Sequence, residues 1–165
     1  MNVPLSPKIR FIREEPRIDP IVSSGPSMPA PVLAYALLRL ALGVCVFFHG
    51  ASWLVPGGAD LLPYLAAQFQ GTIIPGILLP LFAAFLPFFE MTIGLLLLVG
   101  LFTPAALVLG SFEMVALLAG ATLAQKFDIC AQQLIYCLVY FALLTLIARN
   151  ELSLDAVLRA RETAS

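Results

Sequence analysis

The chain has 165 residues, of which 61% are hydrophobic and only 12% charged, and its mean hydropathy is +0.98. A soluble domain of this size needs far more polar surface to cover its core, so the expected solvent is a lipid bilayer. A net charge of −1 with no basic stripe excludes nucleic acid as a partner, and the length allows one domain only.

The first 31 residues are a different material. They hold seven of the thirteen prolines, with Lys8, Arg10, Arg13 and Arg17 set against Glu14, Glu15 and Asp19. Proline at that density blocks regular structure, so residues 1–31 read as an extended, disordered cytoplasmic tail. The basic stretch is long and no compact apolar run with a small-residue cleavage site follows it, which argues against a secretory signal.

Four spanning helices follow, expected at 32–55, 75–100, 104–124 and 129–148, each near the roughly 20 residues that cross the hydrocarbon. Pro80 and Pro87 fall inside the second, which is expected to bend. The turn Gly100–Pro104 is so tight that the second and third spans must be antiparallel neighbours. Between the first two spans, Leu61, Leu62, Leu65 and Phe69 recur at near-helical spacing and predict a short interfacial helix. The fold class is therefore all-α: a four-transmembrane-helix bundle with one interfacial helix. The membrane domain takes residues 32–158, and residues 159–165 form a C-terminal tail.

Orientation follows from the basic residues. The tail has four of them, and Arg149, Arg159 and Arg161 follow the last span, while only Lys126 stands in the loop between the third and fourth. The positive-inside rule puts both termini in the cytoplasm.

Charged side chains inside the spans mark function, because an ionised group in hydrocarbon is costly without a partner or a cavity. Glu90 and Glu113 lie in the second and third spans, and Arg39 and His49 in the first. At about 1.5 Å rise per residue, Arg39 falls roughly 10 Å, and Glu90 and Glu113 roughly 15 Å, from the cytoplasmic end. One buried cluster is the economical expectation, with Arg39 paired to Glu90 or Glu113 and the other carboxyl neutral or hydrogen-bonded. Such a cluster reads either as structural glue or as a proton relay with Glu90 and Glu113 as its catalytic acids.

A second polar layer is expected nearer the outer face. His49 stands late in the first span, Gln132 and Gln133 open the fourth, and Trp53, Tyr64, Tyr136 and Tyr140 are candidate neighbours. An imidazole flanked by amides and flat apolar walls suits a quinone headgroup. The plainer reading has His49 bonded to a neighbouring helix, and aromatic residues gather at membrane interfaces in any case. Cys45, Cys130 and Cys137 form no CxxC pair and read as small core residues. A single histidine cannot supply the two axial imidazoles of a membrane b-type haem or a histidine-rich copper site, so no metal site is expected. There is no P-loop, and no GxGxxG opens a helix after a strand. Any electron-transfer cofactor is expected to be a diffusible quinone, not covalently bound, or to belong to a partner.

Leu38-Arg39-Leu40-Ala41-Leu42-Gly43 followed by Phe48-His49-Gly50 resembles the opening helix of the DoxX/DoxD family. The run Phe89-Glu90 through Gly94 to Gly100-Leu101-Phe102-Thr103 resembles the second helix of that family, and Leu152-Ser153-Leu154-Asp155 its characteristic close. The likeness covers about residues 33–158 and leaves only the proline-rich tail outside. It implies a bacterial inner-membrane protein, with DoxD-type members associated with thiosulfate:quinone oxidoreductase beside a second subunit. Arg39, His49, Gly50, Glu90 and Gly94 carry over as family positions. The chain departs at Gln132, where an acid is common, and at Ala148-Arg149-Asn150-Glu151, where Gly-Pro-Gly is common.

Two functions follow. One is a quinone-linked oxidoreductase subunit, with Arg39, His49, Trp53 and Gln132 holding the quinone and Glu90 and Glu113 handling protons. The other is a non-catalytic anchor or assembly partner of a larger membrane complex.

Overall fold

The computed structural model describes residues 29–57, 60–72 and 76–163. The expected disorder of the tail falls mainly on residues 1–28, outside the described residues. The described chain is helical, with six α-helices: α1 (Ala30–Ser52), α2 (Leu61–Gln68), α3 (Leu78–Val99), α4 (Thr103–Leu123), α5 (Phe127–Thr145) and α6 (Leu154–Glu162), plus a 3₁₀ turn at Ile147–Arg149. Four of them, α1, α3, α4 and α5, are long and apolar enough to cross a membrane. The fold is a four-helix membrane bundle. Phe48, Phe88, Phe112 and Phe141 all point away from the bundle, as lipid-facing positions do.

Local chemistry sets the boundaries. Pro31 sits in the first turn of α1, where a missing N–H is one of the orphan donors anyway, so the helix starts two residues earlier than expected. It stops at Ser52, before Pro56 and Gly57, rather than at residue 55. Pro80 also falls in a first turn, that of α3, so only Pro87 stands inside that helix. The expected bend therefore loses one of its two causes. The short α2 forms where the near-helical spacing placed it, burying Leu61 and Leu65 against Leu86 of α3.

The tightest packing runs between α1 and α3, which are antiparallel. Small residues allow the close approach. A Cβ on Gly94 would lie 2.6 Å from Phe47 Cα, and one on Gly43 would lie 3.1 Å from Gly94 O. Gly50 lies against Pro87 and Glu90, so α3 runs on by more than two turns past the end of α1. That overhang packs on α2, with Trp53, Phe69, Leu79 and Ala83 around it. The main core is built from Tyr35, Leu42, Ile93, Leu97, Leu107 and Tyr140 with their neighbours.

The opposite end of the bundle is closed by polar bonds. Gly100 ends α3 in the left-handed region (φ 71°), and Phe102 follows at φ 49°. Asp155 accepts hydrogen bonds from the N–H groups of Phe102 and Thr103, both at 2.8 Å, and so caps α4 from a distance. Ser153 Oγ in turn caps α6 by accepting from Ala156 N–H at 3.2 Å. Residues 159–165 were expected as a tail, yet α6 runs to Glu162. The Ser153 cap four residues before a Val-Leu pair was the signal for it.

Candidate functional site: an ion pair on a membrane cavity

His49 comes from the last turn of α1 and Glu90 from the middle of α3. The overhang of α3 places them at one level. His49 Nδ1 donates to Glu90, 2.9 Å from Oε1 and 2.8 Å from Oε2. The Glu90 side chain is 2% exposed while that of His49 is 57% exposed. The carboxylate is therefore buried behind the imidazole, and the imidazole faces outward. With Nδ1 committed to Glu90, Nε2 has no hydrogen-bond partner among the described residues.

Both residues line a cavity of about 860 Å³ bounded by α1, α2, α3, α4 and α5. Its walls are largely apolar: Leu61, Leu65, Phe69, Phe82, Phe85 and Leu117 are among them. An aromatic ladder forms one side. The His49 and Trp53 rings meet edge to face with centroids 6.1 Å apart, and Trp53 and Tyr64 follow at 5.4 Å. Trp53 Nε1, Gln68 Oε1 and Gln133 Oε1 are buried without a hydrogen-bond partner within the described chain, and all three residues line the cavity. A large apolar cavity with a few convergent polar groups is the ordinary form of a small-molecule site.

The structure sorts the expected site residues into two places. His49, Trp53, Tyr64, Glu90, Gln132, Gln133 and Tyr136 come together on the cavity. Arg39 does not. Its guanidinium donates to Leu97 O at 2.8 Å and Leu152 O at 2.7 Å, at the other end of α1. The expected pairing with Glu90 or Glu113 is not formed, because the stagger of α1 against α3 brings Arg39 beside the last turn of α3. There it satisfies a carbonyl that the helix end leaves open.

Glu113 also stands apart. It is 7% exposed and packed in the core rather than on the cavity, and neither carboxyl oxygen has a hydrogen-bond partner. Tyr140, expected in the outer layer, is fully buried, with its hydroxyl against Gly110 of α4.

Two features escaped the reading of the sequence. Cys45, taken as core filler, is exposed, lines the cavity and shares a 2.9 Å hydrogen bond with Tyr136 Oη that ties α1 to α5. Its spacing of four residues from His49 was the available clue, since i and i+4 share a helix face. Cys130 is buried, as a core residue should be. Gln68 joins the cavity through the overhang of α3, which no local pattern announces. Among the described residues, no group of three His, Cys, Asp or Glu side chains is placed to hold a metal ion.

Fold and site together define a multi-pass four-helix membrane protein with a polar-edged cavity at one end of the bundle. The chain matches no family model, no curated protein and no solved structure.

Proposed function

We propose that the protein is the membrane subunit of a quinone-linked oxidoreductase and that the cavity receives the quinone headgroup. The observation that carries this reading is the His49–Glu90 pair, which opens on an apolar chamber of about 860 Å³ walled by Trp53 and Tyr64. A quinone ring is flat and apolar with a carbonyl oxygen at each end. The aromatic ladder supplies the flat wall, and His49 supplies the polar contact. With Glu90 stabilising its positive charge, the imidazolium donates from Nε2 to a quinone carbonyl oxygen. Once that proton has moved to the oxygen, the neutral ring accepts from the resulting hydroxyl. Gln132 and Gln133 line the same cavity on α5 and are our candidates for the second carbonyl. Electrons come from a partner subunit, and the likeness to the DoxX/DoxD family makes a thiosulfate-oxidising partner the first to examine. The same likeness, with the basic residues beside the described termini, argues for a bacterial inner membrane and cytoplasmic ends.

Trp53 is the single tryptophan of the chain, so its fluorescence reports directly on the cavity. Titrating a short-chain ubiquinone analogue into the purified protein should quench Trp53 saturably. A hydrogen bond to a charged group is worth about 1.5–3 kcal/mol, so His49→Ala should weaken that binding about tenfold or more. His49→Gln should fall between the two. Quenching that never saturates, or that is equal in all three proteins, would instead support the anchor or assembly role.

A further inference from the structure

Glu113 is the buried acid that the quinone reading leaves unused. Its carboxyl lies in the core of the bundle with no hydrogen-bond partner for either oxygen. Among the described residues no cation bonds it. The Arg39 guanidinium is bound to Leu97 O and Leu152 O, His49 is held by Glu90, and Lys126 is exposed in the loop before α5. The groups that do face this region come from three other helices: Cys45 and His49 on α1, Glu90 on α3, and Tyr136 and Tyr140 on α5. Glu90 is within electrostatic reach of Glu113, and the Tyr140 hydroxyl is within reach of both acids. That hydroxyl rests against Gly110, one helical turn from Glu113, and also lacks a partner. Of these groups only His49 brings a positive charge, and Glu90 already holds it.

We propose that the two buried acids divide their roles: Glu113 stands as a neutral carboxylic acid and stores one proton behind the cavity, while Glu90 carries the charge opposite His49. The arrangement is lopsided by construction. Glu90 has a cation to offset its charge, whereas an ionised Glu113 would sit unpaired in the core beside a second negative charge. The stored proton leaves from a Glu113 oxygen and arrives at a Glu90 oxygen, one O–H bond breaking as the other forms. Tyr140 in the core and Tyr136 on the cavity wall stand one turn apart on α5. The inference concerns the proton alone and holds whatever the cavity binds.

Infrared spectroscopy of the purified protein in lipid nanodiscs at neutral pH tests it, with glutamate labelled with ¹³C to identify the carbonyl band of a protonated carboxyl. The native protein should show one such band. Glu90→Gln should retain it and Glu113→Gln should remove it. His49→Leu, which takes the counter-charge from Glu90, should add a second band. A protein with no protonated glutamate band, or one whose band disappears in Glu90→Gln, would overturn the assignment. The Glu90→Gln and label arms suffice even where Glu113→Gln fails to fold. Quinone quenching of Trp53 is read separately, so failure of either idea is distinguishable from failure of the other.

Discussion

His49 Nδ1 sits 2.8 Å from one oxygen of Glu90 and 2.9 Å from the other, a contact that joins α1 to α3 and separates the cavity from the core. The imidazole is thus both the polar face of the site and the cover over a buried charge. Removing one partner of a buried pair costs about 3–5 kcal/mol when both are enclosed, because a lone charge is left behind. His49 is more than half exposed, so a smaller loss of about 1–3 kcal/mol is expected for His49→Ala. Glu90→Gln keeps an acceptor for Nδ1 and should be milder. The double variant should lose less than the sum of the two, by about 1 kcal/mol. Unfolding measurements in detergent on the four proteins check this, and strict additivity would mean that the pair contributes nothing to stability.

Arg39 and Glu90 should behave independently. Arg39 bonds two backbone carbonyls, Leu97 O and Leu152 O, and shares no partner with Glu90. Arg39→Met leaves those carbonyls without their donor, at a cost of about 1–3 kcal/mol for each that stays buried. Arg39→Lys should recover little, since one ammonium cannot replace a fork that reaches two acceptors. Combining Arg39→Met with Glu90→Gln should be additive within about 0.5 kcal/mol. Rescue of one by the other would restore the buried Arg–Glu cluster that the structure replaces.

Why the spans were legible and the pairing was not has a physical cause. Each span is a run of about 20 apolar residues, and hydropathy alone marks such a run. The short α2 was readable from the spacing of Leu61, Leu62 and Leu65, and the antiparallel turn from Gly100 and Pro104. Depth, by contrast, was estimated as if all helices ended at common planes. In fact α1 stops at Ser52, whereas α3 begins well beyond it at Leu78 and meets Gly50 only at Pro87. That shift moves His49 onto Glu90 and Arg39 onto the turn at Gly100. Stagger is set by where small residues let two backbones touch, here Gly43, Gly50 and Gly94, and no single helix reveals its partner's register. Gly94 and Gly100 were noted in the sequence as elements of a motif. Their contacts with Phe47 and with Arg39 give that motif a packing reason.

Gly94 therefore offers a sharp test of the α1–α3 interface. A methyl there would lie 2.6 Å from Phe47 Cα and 2.7 Å from Phe47 Cβ, and backbone cannot give way as a flexible side chain can. Gly94→Ala should force the helices apart and destabilise by about 1–3 kcal/mol, the usual range for overpacking. Because the same helices carry His49 and Glu90, ligand quenching of Trp53 should weaken as well. Gly76→Ala is the control: nothing lies within 4 Å of a Cβ there, and its φ is not in the left-handed region. It should change stability by no more than about 0.5 kcal/mol. Equal tolerance at the two positions would refute the close approach.

Asp155 lies outside the spans and makes the bundle sensitive to acid at its polar end. Partial burial alone would raise its carboxyl, but the bonds from Thr103 and Phe102, with Arg159 nearby, hold it below its usual value of 3.8. A carboxylate whose native value is depressed contributes stability that is fully present above the unfolded value and is lost as pH falls through the native one. The contribution is thus intact at neutral pH and declines only below about pH 4. Asp155→Asn removes the charge but keeps one acceptor for the α4 N–H groups. It should cost about 1 kcal/mol at pH 7, in the range of a lost helix cap. As pH falls through the native value, the variant and the native protein should converge, because both then present a neutral group to Phe102 and Thr103. Unfolding curves collected from pH 7 down to acid decide the matter. A gap that stays constant across that range would show that the carboxylate charge plays no part in holding α6 against α4.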